Sequence, residues 1–269
     1  MSAAILSTVM VTSDGVRLRI LEAGPRTADR TPVLAFVPGW SMPATIWLPQ
    51  LTALGTSHRV AALDPRGQGD SDIPAEGFDI ERRATDVREF IARYDRVVLI
   101  GWSLGALEAL QCVHRYGDGR LDALVLVDSS VGEEPPPPAT GFLEALQRDR
   151  VATVTAFVRD MFRTQRDDDE LGTLVNAALR MPLESSLTLF PRGVPREHWR
   201  GVTRAFDKRL LYVVTEQFAA QAQNLLHHRP GTRIEIFERA GHALFVDDPD
   251  RFNQLLLGLL REIAGNHAG

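Results

Sequence analysis

The sequence predicts an α/β protein: a mostly parallel, eight-stranded sheet with helices on both faces and a helical block inserted late in the chain. Three observations carry this. Short, wholly apolar runs recur and stop at glycine, proline or aspartate, as strands covered on both faces do. Amphipathic stretches of helical period separate these runs, and such alternation implies parallel strands joined by right-handed crossovers. The alternation then breaks at a run of prolines and gives way to helical signals alone.

The elements follow in order. "ILSTVMV" and "VRLRILEAG" flank Ser13-Asp14-Gly15 and read as an opening hairpin. "PVLAFV" stops at Pro38-Gly39, and "RVAALD" at Asp64-Pro65. A helix begins near Ile80, with Glu81, Arg82, Asp86 and Arg88 on its polar side. "RVVLIG" leads into a helix that starts after Ser103 and is closed by Gly117. "LDALVLVD" is the sixth strand. Glu133 to Pro138, "EEPPPP", is a stiff extended segment. From about Gly141 to Phe206 the apolar spacing is helical throughout. "RLLYVV", "EQFAAQAQNLLHH" and "RIEIFE" restore the strand-helix pattern, and a last helix runs from Asp248-Pro249 to near Ala264. The expected division is a core domain of residues 1–132 and 207–269, with a helical cap at 133–206.

The chain has 269 residues, 44% of them hydrophobic, enough for one sizeable core. A net charge of −5 without a basic stripe argues against a nucleic-acid or anionic-membrane surface. Lys208 is the only lysine, so nearly all positive charge is arginine. The lone cysteine, Cys112, rules out a disulfide within the chain and fits a reducing compartment; it reads as an inert buried thiol. The N-terminal stretch reads as a first strand rather than a signal peptide, and no segment approaches membrane-spanning length. The expectation is a cytoplasmic monomer or homodimer acting on a small molecule, with no nucleic-acid or membrane partner. No histidine, cysteine or carboxylate cluster has metal-ligand spacing, so no metal or cofactor is expected.

"GWSLG", Gly101 to Gly105, places Ser103 between a buried strand and a helix. A serine hydroxyl is a weak nucleophile and needs a base in reach and donors for the developing oxyanion. The strand-serine-helix turn supplies that geometry. Gly101 and Gly105 relieve crowding at its tip, and the Leu104 N–H opens the helix where an oxyanion would form. Arg66, Gly67, Gly69 and Ser71 suggest a phosphate loop, but G-K-[ST] is absent and a structural turn is the better reading.

Four motifs in this order resemble the α/β-hydrolase fold superfamily over nearly the whole chain. They are "VPGWS", where the family usually carries His-Gly; "LDPRGQGDSD" (Leu63 to Asp72), close to D-x-R-G-x-G-x-S; "GWSLG"; and "AGHALFVDDPDRFN" (Ala240 to Asn253), similar to the catalytic-histidine segment. The likeness is to small capped esterases, lactonases and carbon-carbon bond hydrolases. It implies a serine hydrolase that cleaves a carboxylic ester or lactone through an acyl-enzyme on Ser103, without a cofactor. Carbon-carbon hydrolysis or acyl transfer by the same pair, and non-catalytic binding, are the alternatives.

Of seven histidines, only His242 follows a strand in Ala-Gly-His before the last helix, where the fold presents a base. His227 and His228 end an amphipathic helix, and His58, His114, His198 and His267 lie in helical or terminal contexts. Two positions stay open for the acid. Asp128 ends "ALVLVD", and Glu216 follows "LLYVV", where the family's usual aspartate is missing. The resemblance assigns the oxyanion hole to the backbone N–H groups of Trp40 and Leu104, with Pro38 in place of the histidine that braces this loop in relatives. Trp40, Trp102, Met161 and Phe162 are the expected substrate contacts. The cap's apolar stripes, which include Phe157 and Phe190, favour a hydrophobic substrate.

Overall fold

The computed structural model describes residues 3–25 and 31–265. Its strands are β1 (Leu6–Val11), β2 (Arg17–Ala23), β3 (Val33–Val37), β4 (Val60–Leu63), β5 (Val97–Trp102), β6 (Leu121–Val127), β7 (Arg209–Thr215) and β8 (Thr232–Phe237). They form one eight-stranded sheet in the order β1-β2-β4-β3-β5-β6-β7-β8. The β1–β2 and β2–β4 pairs are antiparallel, and the rest of the sheet is parallel. Every residue of β3, β4 and β5 is buried, which is why these strands read as unbroken apolar runs.

The helices are α1 (Leu48–Leu54), α2 (Ile80–Ile91), α3 (Leu104–Tyr116), α4 (Phe142–Arg148), α5 (Arg150–Asp160), α6 (Asp168–Leu179), α7 (Leu183–Thr188), α8 (Arg196–Ala205), α9 (Ala219–His228), α10 (Leu244–Asp247) and α11 (Pro249–Gly265). Side chains of a strand alternate between faces. In β5, Val98 and Ile100 join a core with Leu51 of α1 and Phe252 of α11. Val97 and Leu99 join a second core with Val87 of α2, Leu110 of α3 and Leu225 of α9. No helix among the described residues is long and apolar enough to cross a membrane.

Helices α4 to α8 form an insert between β6 and β7. Leu146, Val154, Val158, Leu174 and Leu187 of α4 to α7 extend the first core, in company with Trp40 and Phe245. Helix α8 behaves differently. Its Trp199 belongs to the second core, and its His198 ring stands 4.6 Å from His114 of α3, with Nε2 2.7 Å from Gln111 Oε1. The segment expected as one cap, 133–206, therefore packs on both sides of the sheet. Buried Glu133 ties its two ends together by accepting from Arg204 Nε and Nη2 at 2.6 and 2.7 Å.

Strand order reverses between β3 and β5: the chain moves outward from β3 to β4 on one side, and from β5 to β6 on the other. In open parallel sheets the crevice at such a reversal, at the strands' carboxyl ends, is where ligands bind. The loops at those two ends carry Trp40 and Ser103.

Candidate active site

Ser103 sits at the turn from β5 into α3 with φ 54° and ψ −119°. A left-handed φ on a non-glycine residue costs about 1–3 kcal/mol and persists only where its surroundings enforce it. The enforcement is visible. Ser103 N donates to Val127 O at 2.8 Å, and Ser103 O accepts from Ala106 N at 3.0 Å. A Cβ on Gly101 would lie 2.4 Å from Gly105 O, and one on Gly105 would lie 2.5 Å from Val37 O, so both glycines are required. Serine at a helix N-cap normally spends its hydroxyl on the first turn. Here the side chain makes no capping bond. Leu104, the first helical residue, presents one of the N–H groups that a helix leaves unpaired.

Ser103 borders a cavity of about 650 Å³ with Trp40, Phe142, Phe157, Phe190 and Glu144, beneath residues 138–144 of the insert. The Trp40 ring lies 5.3, 5.5 and 5.6 Å from those of Phe142, Phe157 and Phe190. Its Nε1 donates to Ser186 O in α7 at 2.8 Å, fastening the β3 loop to the insert.

His242 stands between β8 and α10. Its Nδ1 is 2.7 Å from Asp128 Oδ2, and its ring lies 6.5 Å from that of Phe157. Asp128 is buried and follows β6 with φ 42°. Its Oδ1 accepts from both Thr215 N at 2.7 Å and Thr215 Oγ1 at 2.8 Å. A carboxylate so placed takes the Nδ1 proton as its hydrogen bond and leaves Nε2 as the basic nitrogen. Glu216 is exposed and opens the 3-10 turn Glu216–Phe218.

A second carboxylate secures the histidine's loop from behind. Asp247 accepts from Gly241 N at 2.7 Å, Thr164 Oγ1 at 2.6 Å and the N–H groups of Arg163 and Thr164 at 2.9 and 3.0 Å. Burial works against its charge, but the bonds from Thr164, Gly241 and Arg163 prevail and hold its carboxyl below the usual range. No sequence signal separated this residue from its acidic neighbours.

Of the four expected substrate contacts, only Trp40 lines the Ser103 cavity. Trp102 is fully buried beneath the histidine, donating Nε1 to His242 O at 2.8 Å with its ring 5.1 Å from the imidazole. Met161 is buried too; its carbonyl accepts from Ala243 N at 2.9 Å, so it supports the histidine loop by its backbone. Phe162 lines a separate cavity of about 660 Å³ with Ile46, Leu48 and Leu174. Phe142, Phe157 and Phe190 line the Ser103 cavity beside Trp40. Phe157 and Phe190 belonged to the apolar stripes, where nothing in spacing distinguishes lining from packing.

The remaining candidates have structural surroundings. Arg66 is fully buried, with Nε and Nη2 on Asp86 at 2.6 and 2.8 Å and Nη1 on Asp14 at 3.0 Å. Cys112 is buried, and burial pushes its thiol up to about 12. Among the described residues no three His, Cys, Asp or Glu side chains converge as a metal-binding group. His267 lies outside the described residues.

Known proteins resemble the chain in sequence and in fold. The chain is 27% identical to a Bacillus subtilis protein provisionally named 2-succinyl-6-hydroxy-2,4-cyclohexadiene-1-carboxylate synthase, over 96% of this chain and 100% of that one. It is 29% identical to a pimeloyl-[acyl-carrier protein] methyl ester esterase of Citrobacter koseri, over 86% and 94% of the two chains. The crystal structure of a provisionally assigned aryl esterase from Burkholderia cenocepacia superposes with a TM-score of 0.84 at 24% identity, over 97% and 100% of the chains. The model of the alpha/beta hydrolase family matches residues 34–255, which span the sheet reversal, the Ser103 turn and the His242 loop. With that match and this strand order, the chain belongs to the alpha/beta hydrolase family.

Proposed function

We propose that the protein is a cytoplasmic serine hydrolase that cleaves a carboxylic ester, open-chain or cyclic, of a neutral hydrophobic small molecule, without a cofactor. One observation carries the reading. A strained serine with an uncommitted hydroxyl borders an apolar cavity, and Phe157 in that cavity's wall packs on a histidine bound to a buried carboxylate.

In the proposed cycle, His242 Nε2 takes the Ser103 proton while Oγ attacks the ester carbonyl carbon. The N–H groups of Leu104 and Trp40 receive the charge that develops on the carbonyl oxygen. Asp128 fixes the imidazole's tautomer and stabilises the imidazolium. The carbon–oxygen bond to the leaving alcohol breaks as His242 protonates that alcohol. Water, deprotonated by His242, then attacks the acyl-enzyme; the acid departs and the proton returns to Ser103. Ester and water become acid and alcohol, with no other reactant consumed.

The cavity also supports a choice among substrates. Its lining has four aromatic rings, one carboxylate (Glu144), and neither lysine nor arginine. A substrate carrying its own carboxylate finds no counter-charge there and meets Glu144, which is discrimination by repulsion. The test is turnover of p-nitrophenyl butyrate, with fluorophosphonate labelling of Ser103. Ser103→Ala and His242→Ala are each expected to lower turnover by about 10⁶-fold, and not additively. Retained turnover in both variants defeats the assignment. A monoester of a dicarboxylic acid is expected to be a much poorer substrate than its neutral analogue.

A further inference from the structure

We propose that Gln68 is a positioning residue for the oxyanion donor in the β3 loop, and that Arg83 and Glu108 lock it in place. The inference rests on the reading of Ser103 as the acyl-forming nucleophile. It starts from the loop itself. Pro38 follows β3 directly, and proline brings neither an N–H nor a polar side chain to hold the loop in place. The loop still needs bracing, because its backbone is tightly bent. Ser41 has φ 56°, and Met42 N closes back on Gly39 O at 3.2 Å, wrapping the chain around Trp40.

Gln68 supplies the brace. It is fully buried, and its Nε2 donates to Gly39 O at 3.0 Å and Met42 O at 2.7 Å, one carbonyl on each side of Trp40-Ser41. Its Oε1 accepts from Arg83 Nη2 at 3.0 Å. This orientation of the amide is the only one that works. Turned over, the oxygen would face two carbonyls and the nitrogen a guanidinium, and every bond would be lost. Arg83 is in turn held by Glu108 Oε1, 2.9 Å from Nε and 2.6 Å from Nη2, and by Arg66 O at 3.1 Å.

Glu108 lies on α3, the helix that Leu104 begins. The hydrogen-bonded chain Glu108–Arg83–Gln68 therefore runs unbroken from the helix carrying one proposed oxyanion donor to the loop carrying the other. Arg83, Gln68 and Glu108 are all buried, where a polar group without its partner is costly, so the chain holds or fails as a unit. Its effect is geometric: it sets the spacing between two N–H groups that must meet one oxygen atom within a few tenths of an ångström.

The test is Gln68→Met, which keeps length and apolar bulk and removes every bond. The readouts are kcat and KM for p-nitrophenyl butyrate, the inhibition constant of an alkylboronic acid, and Tm. A boronic acid forms a tetrahedral adduct on the serine and reports the oxyanion hole directly. The expected result is a fall in kcat of about 10–10²-fold, below the full loss of a donor, with KM within about twofold and boronate affinity weakened in parallel with kcat. Gln68→Asn keeps the donors on a shorter stem and is expected to fall between Gln68→Met and the wild type; it also serves if Gln68→Met does not fold. Unchanged kcat, or a loss confined to KM with boronate affinity intact, overturns the proposal. Failure of the wild type to label with fluorophosphonate instead overturns the reading of Ser103 on which it rests.

Discussion

Strands β6 and β7 lie side by side, and each is followed closely by a carboxylate: Asp128 after Val127, Glu216 after Thr215. After β6 the backbone turns through a left-handed φ of 42°, a conformation aspartate tolerates better than most residues, and the short side chain stays buried. After β7 the chain enters a 3-10 turn and Glu216 is exposed. The residue between the two is the instructive one. Thr215 gives both its N–H and its hydroxyl to Asp128, so β7 contributes the donors that hold the carboxylate facing His242. Where a strand-end carboxylate can serve a histidine is decided by the turn that follows it and by the donors that hold it.

Four experiments break or sharpen that contrast. Asp128→Asn keeps the shape and an acceptor for Thr215 but frees the imidazole's tautomer, and turnover is expected to fall by about 10⁴-fold with folding preserved. Thr215→Val removes the hydroxyl and leaves the backbone bond. The loss of one charge-assisted hydrogen bond is expected to lower kcat about 10-fold with KM unchanged.

Asp247 extends the comparison to a carboxylate that holds a loop instead of a ring. Its folded pKa lies below the ordinary 3.8, so its contribution is complete above that value and is lost as pH falls through the folded one. Asp247→Ala is expected to cost about 1–3 kcal/mol at neutral pH. Denaturant titrations of the two proteins should show that gap closing in acid; a gap that widens would contradict the sign. Glu216→Gln is expected to leave kcat/KM unchanged within about twofold. A loss matching that of Asp128→Asn would reverse the assignment.

The sheet was legible because its central strands are covered on both faces. "VLAFV" and "VVLIGW" have no polar residue to confuse the pattern. The turn at Ser103 and the loop at His242 were legible because each sits in a local motif whose glycines answer a local crowding problem. The carboxylate that meets His242 was legible only as a choice of two, since the clamp that holds Asp128 comes from a neighbouring strand far away in sequence. The cavity wall was the least legible part. Phe157 and Phe162 are five positions apart with the same chemistry, yet one stands beside Ser103 and the other lines a different cavity, because the insert's packing decides between them. Gln68 was hidden for a similar reason. Its motif reads as a structural turn, and its partners lie on α2 and on the loop beyond β3.

The bond from the Trp40 indole to Ser186 O has a bearing on how this protein can be re-engineered. Exchanging the helices over the cavity is an obvious route to new selectivity, as though lid and engine were separate cassettes. Here they share a bolt. A transplanted lid that lacks a carbonyl at the Ser186 position would free the indole and loosen the very loop that carries the proposed oxyanion donor. Chimeras would then lose turnover for every substrate alike, and a screen would mistake that loss for poor fit. Designs that keep residues 183–188, or that change Trp40 together with the lid, avoid the confusion.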